Sequence, residues 1–105
     1  MHILILKFRA EEYQKLVSDL DGLSDWMNSV EGLISKTWLQ HSESQQIGGI
    51  YHFDTRENLL AYKDSNSIAE FKQQYKITDW QESCFNTSEV DQASIKNHSP
   101  FFSDN

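Results

Sequence analysis

Residues 32–62, GLISKTWLQHSESQQIGGIYHFDTRENLLAY, constrain the fold more than any other stretch of the chain. Apolar, aromatic and β-branched residues at 33–41 and 47–53 read as two strands. The polar run Ser42, Glu43, Ser44, Gln45 and Gln46 between them is short enough to be a hairpin loop, so the two strands pair antiparallel. Asp54 or Thr55 then offers an N-cap, with Glu57 and Asn58 in the first helical turn and Leu59, Leu60 and Tyr62 on the apolar side.

The flanks repeat this alternation of periods. Residues 2–8 form a strand with Ile3 and Ile5 on one face and Leu4, Leu6 and Phe8 on the other, so both faces call for cover. From Ala10 the apolar residues Tyr13, Leu16, Val17, Leu20, Leu23, Trp26 and Met27 recur at helical spacing, giving about four turns of amphipathic helix. Gly22 lies inside that pattern and is the expected break, because an interior glycine costs on the order of 1 kcal/mol relative to alanine. Residues 65–67 interrupt the second helical region, Ile68, Phe71 and Tyr75 continue it, and residues 78–85 supply a last strand containing Trp80, Cys84 and Phe85. A short helix at 89–95 closes a single domain of residues 1–95, and 96–105 form a polar tail.

The order strand, helix, strand, strand, helix, strand is the split β-α-β arrangement of α+β, ferredoxin-like folds, a four-stranded antiparallel sheet with its helices on one face. The other face would be bare in a monomer. An apolar patch of that size is larger than soluble monomers usually expose, so a homodimer with two sheets packed face to face is expected.

Composition removes several classes of function. With 38% hydrophobic and 24% charged residues the chain is ordinary for a globular protein, and no segment approaches the roughly 20 apolar residues of a spanning helix. The start MHILILKF has no basic leader and runs at once into Arg9, Glu11 and Glu12, which gives the expectation of a cytoplasmic protein. Sixteen acidic against nine basic side chains give a net charge of -7, which repels nucleic acid phosphates. Cys84 is the only cysteine and reads as a small hydrophobe. His2, His41, His52 and His98 show no metal-ligand spacing, and no nucleotide-binding glycine motif is present, so neither a metal nor a cofactor is expected.

The residues Lys36, Trp38, Gly48, Gly49, Tyr51, Phe53, Ala61 and Tyr62, in the order K-x-W, GG-x-Y-x-F and A-Y, resemble the YdhR family over residues 3–94. The resemblance implies a dimeric α+β barrel related to the cofactor-independent antibiotic-biosynthesis mono-oxygenases, the relationship from which the family's enzymatic label is inferred. Two positions depart from the family pattern: Glu31 stands where a proline is expected before the turn glycine, and Asn66 where a histidine follows the A-Y helix.

A mono-oxygenase without flavin, metal or haem takes its electrons from the substrate, typically a small phenol or quinol whose anion reacts with dioxygen. The protein then supplies a dry pocket, a base and an anion partner. The residues marked for catalysis are His52, Tyr51 and Trp38, and those for substrate binding are Lys36, Tyr62, Asn66 and His41, with Arg56 as a further anion partner. Each has a plainer reading beside it. Trp38 and Tyr51 fill core, His41 is a solvated turn residue, and Lys36 snorkels over Trp38. The alternative function is a dimeric module that binds a small ligand or serves an accessory role without turning it over.

Hairpin register decides which groups share a face. A loop centred on Ser44 sets Trp38 opposite Ile50, with Lys36 and His52, whereas a slip of one residue puts Trp38 with Tyr51 and Phe53.

Overall fold

In the computed structural model, which describes residues 1–87, the elements follow the order β1 (His2–Ala10), α1 (Tyr13–Ser18), α2 (Leu20–Met27), β2 (Leu33–His41), β3 (Gln46–Phe53), α3 (Arg56–Lys63), α4 (Asn66–Gln74) and β4 (Ile77–Asn86). The sheet order is β2-β3-β1-β4, every pairing antiparallel, with the helices on one face. This is the ferredoxin-like α+β fold expected from the element order. The helix at 89–95 and the tail at 96–105 lie outside the described residues.

Register fixes the core. Leu4 pairs with Tyr51, Leu6 with Gly49 and Phe8 with Ile47, so Leu4, Leu6, Phe8, Ile47, Tyr51 and Phe53 all turn toward the helices, where they are buried. Leu16, Met27, Leu59, Tyr62, Ile68 and Tyr75 meet them from the helical layer. Ile3, Ile5, Ile50 and His52 project from the opposite face, on which the described elements place no helix.

In the hairpin His41 pairs with Gln46, Trp38 with Gly49 and Lys36 with Tyr51. The loop is thus centred between Glu43 and Ser44, one residue short of the Ser44-centred pairing, and Trp38 shares its face with Tyr51 and Phe53 rather than with His52. A bulge at Ile34 lets Leu33 pair with Phe53 while Ser35 pairs with His52, which leaves the Ile34 side chain 54% exposed.

The first helical region does break, but at Asp19 and not at Gly22. Gly22 sits inside α2 with open space around it. Asp19 is held where it is: its backbone N–H bonds Lys15 and Leu16 carbonyls, and its carboxylate accepts from the Tyr75 hydroxyl at 2.7 Å. The caps farther on are side-chain oxygens, Thr55 Oγ1 accepting from Asn58 N–H at 3.1 Å and Ser65 Oγ from Ile68 N–H at 3.4 Å.

Candidate functional site

Between the sheet and helices α2, α3 and α4 lies a cavity of about 170 Å³. That is close to the roughly 150 Å³ of an engineered apolar cavity that accepts benzene, so a single aromatic ring fits. Its floor is Leu6, Phe8, Trp38 and Tyr51 from the sheet, its walls include Trp26, Met27, Tyr62 and Phe71, and Trp80 closes the β4 side. All three tryptophans of the chain line it. A bulge in β4 near Asp79, whose φ is +54°, precedes Trp80, and the indole stacks on Phe8 at 5.2 Å between centroids.

At the β2 end of the floor the K-x-W and G-x-Y spacings resolve into one physical unit. Lys36 and Trp38 are two apart on β2, and their partners Tyr51 and Gly49 are two apart on β3, so all four share a face. Gly49 leaves the room that the lysine stem needs, since a Cβ there would stand 2.7 Å from Lys36 Cε and 3.3 Å from the Tyr51 ring. The stem crosses that gap and sets Nζ 2.9 Å above the Trp38 ring centroid, 3.1 Å from the Tyr51 hydroxyl and 3.4 Å from Met27 Sδ. Trp38 is itself pinned, its indole N–H donating to Ser24 Oγ at 3.0 Å.

The electrostatics follow from this packing. Lys36 makes no ion pair among the described residues, and loss of hydration lowers its pKa from 10.5 to about 6, leaving a neutral amine at pH 7. The ring faces of Trp38 and Tyr51 would favour the charged form once a proton arrives. Burial, the neighbouring Tyr62 and a hydrogen bond between the two hydroxyls push the Tyr51 phenol well above its ordinary range. Burial also raises Tyr62, against the lowering effect of its bond to Tyr51. The rings of this pair stand 5.3 Å apart, and both line the cavity. The arrangement is a polar chain, Lys36 to Tyr51 to Tyr62, ending in an apolar chamber.

Of the residues singled out from sequence, Lys36, Trp38, Tyr51 and Tyr62 come together here. His52 does not: it is buried on the other face of the sheet, paired with Ile3 and Ser35. Burial and the N-terminal amine hold its imidazole below the usual value. His41 ends β2 in the hairpin turn, its Nδ1 2.9 Å from Ser44 Oγ. Asn66 and Arg56 are exposed first residues of α4 and α3, and neither lines the cavity. Sequence reasoning missed Ser24 and Glu70, and it read Trp26, Met27, Phe71 and Trp80 only as apolar contributors. Their periodicity was visible, but an apolar stripe looks the same whether it fills a core or lines a hollow. Among the described residues no three His, Cys, Asp or Glu side chains converge as a metal site would require, and no helix is long and apolar enough to cross a membrane.

A ferredoxin-like sheet with a ligand-sized aromatic cavity beneath its helices defines the class: a small α+β protein of ferredoxin-like fold. Residues 3–99 match the family described as "Putative mono-oxygenase ydhR", and the chain belongs to that family. No curated protein matches it. Solved structures share the fold at low identity. A protein described as a putative antibiotic biosynthesis monooxygenase from Deinococcus radiodurans aligns with a TM-score of 0.69 at 12% identity, over 86% of this chain and 95% of that one. The ActVA-Orf6 monooxygenase of Streptomyces coelicolor, in complex with nanaomycin D, aligns at 0.62 and 13%, over 81% and 85%. A mutant form of SnoaB, a cofactor-independent oxygenase of Streptomyces nogalater, aligns at 0.63 and 9%, over 83% and 92%.

Proposed function

We propose that the protein is a cofactor-independent mono-oxygenase acting on a single-ring phenol or quinol, with Lys36 as the base and Tyr51 and Tyr62 as the path of the proton. The observation that carries this reading is the array of a desolvated amine hydrogen-bonded to Tyr51, whose ring packs on that of Tyr62 at the edge of a cavity sized for one aromatic ring. SnoaB, which shares the fold, is an oxygenase described as cofactor-independent, and this supports the reaction class.

The chemistry needs no external reductant. Phenol plus dioxygen gives a quinone plus water, and all four electrons come from the ring. A substrate hydroxyl seated at Tyr62 loses its proton toward Tyr51 and on to the Lys36 amine, the phenol O–H groups rotating to point inward. The new ammonium, set behind Tyr51, is stabilised by the ring faces of Trp38 and Tyr51. The anion adds to dioxygen, the peroxide takes back the proton held on Lys36 through the same relay, and loss of water from the hydroperoxide leaves the quinone. The aromatic side chains lining the inner part of the cavity reduce contact of the reacting ring with water. His52, Asn66 and His41 take no part in this scheme.

We further propose a homodimer joined through the sheet faces opposite the helices, as the exposed apolar groups there suggest. The test is oxygen consumption over a panel of single-ring phenols and quinols, with product identified by mass. One dioxygen consumed per quinone formed, reduced at least about 100-fold in Lys36→Met and Tyr51→Phe, is the expected result for loss of a general base and its relay. Ring binding without oxygen uptake would leave the ligand-binding module as the correct description.

A further inference from the structure

The chamber is chemically lopsided. Its inner end carries neutral phenols and an amine behind them, whereas its outer wall is formed by α4, whose Ser67, Glu70 and Gln74 fall at i, i+3 and i+7 along one stripe. Phe71 and Ile68, on the neighbouring stripe, turn into the packed layer. Glu70 is the only charged residue lining the cavity among the described residues. It is exposed at the mouth of the cavity and forms no ion pair among them, so solvent rather than a cation of the described chain screens its charge. A ring held with its hydroxyl at Tyr62 fills most of the cavity and directs its far substituent toward the mouth, where Glu70 and Gln74 are exposed.

We infer that Ser67, Glu70 and Gln74 select the outer substituent of the ligand, with Glu70 rejecting carboxylates and favouring hydrogen-bond donors such as a hydroxymethyl or an ammonium group. This deepens the reading above, since it rests on that cavity being the ligand site. The ligand class is then a phenol whose opposite end is neutral or cationic. Serine and glutamine supply both donors and acceptors to a neutral polar group, while a carboxylate would meet a like charge screened only by solvent at the cavity mouth. The Coulomb penalty between two such charges about 7 Å apart, in surroundings between protein and water, corresponds to about a three- to tenfold loss of affinity.

The cavity tryptophans provide a readout that does not depend on turnover. Quenching of their fluorescence is measured with 4-hydroxybenzyl alcohol, tyramine and 4-hydroxybenzoate, which share a phenol ring and differ only at the far end. The wild-type chain is expected to bind the alcohol and tyramine about three- to tenfold more tightly than the benzoate, with the gap narrowing at high salt. Glu70→Gln should tighten benzoate binding by that factor and leave the alcohol unchanged, and Glu70→Lys should invert the preference. Glu57→Gln, which changes the net charge equally on a helix face away from the cavity, should leave the ranking as it is. Equal affinities in the wild-type chain, or a preference that persists in Glu70→Gln, would overturn the assignment of Glu70 while leaving the cavity as the ligand site. Quenching by none of the three probes would overturn the cavity reading and this inference together.

Discussion

An amine largely withdrawn from water and given ring faces, a phenol and a thioether for company stays unprotonated at neutral pH. Lys36 titrates at about 6 in the folded chain, from an ordinary value of 10.5. Between those values the unfolded chain binds one more proton than the folded chain, so this lysine makes stability rise with pH across that window. Its unfavourable contribution is greatest below pH 6 and absent above 10.5. Methionine at this position keeps the stem volume and removes the charge. Urea unfolding at a series of pH values should therefore show the stability difference between wild type and Lys36→Met shifting toward the wild type as pH rises from about 6 to about 10, and a flat difference would refute the shifted pKa. Gly49 tests the same unit from the other strand. A methyl group at Gly49 meets the flexible Cε of Lys36 and one edge of Tyr51, so Gly49→Ala should cost only about 1 kcal/mol, because the lysine can swing away. The amine then regains water, and NMR titration should find the Lys36 pKa moved back toward 10.5.

Elements take their limits from contacts that lie far apart in sequence. The α1–α2 junction at Asp19 is tied to the end of α4 by the Tyr75 hydroxyl, whose pKa burial and the Asp19 carboxylate push up to about 12. A hydrogen bond to a charged acceptor is worth about 1.5–3 kcal/mol, and Tyr75→Phe should lower unfolding stability by that amount without altering the sheet. Spectra showing loss of α1 alone would instead mean that the junction sets only the local helix. This tie explains why the break was expected at the wrong residue. Gly22 carries a propensity signal, whereas Asp19 carries none, and the force on it comes from a tyrosine 56 positions later. The strands were legible because alternation and a polar loop are local. Register was not, since one residue of slip costs nothing within the loop sequence, and burial of Trp38, Tyr51 and Phe53 together decides it. Lys36, Trp38, Tyr51 and Tyr62 were on the list of candidates, but their convergence depends on that slip. Glu70 was out of reach, because an exposed carboxylate on a helix reads as an ordinary solvated side chain, and only the packing of α4 sets it at the mouth of a cavity.

For the whole molecule the balance to be struck is between the two sides of one sheet. The helices bury Leu4, Leu6 and Phe8 completely, yet Ile3, Ile5 and Ile50 on the other side remain half-buried, and Phe85 on the edge strand is 55% exposed. Ile5 pairs with both Ile50 and Ser83, and Ile3 with both His52 and Phe85, so these apolar groups form one band across the strands. A monomer of 12.3 kDa has a thin core, and burying a further few hundred Å² of such surface at about 25 cal/mol per Å² offsets a large part of the cost of association. A twofold contact satisfies both copies at once, because the same band serves as donor and receiver of the packing. Sedimentation at micromolar concentration should accordingly give twice the chain mass. Replacing both Ile5 and Ile50 by lysine places two like charges opposite each other in each copy and four across the twofold, which no arrangement of the dimer accommodates. That variant should sediment at the single-chain mass and unfold at lower urea, whereas the cavity, which lies on the far side of the sheet, should still quench with a phenol. A wild-type chain that sediments as a folded monomer would remove the dimer from the account.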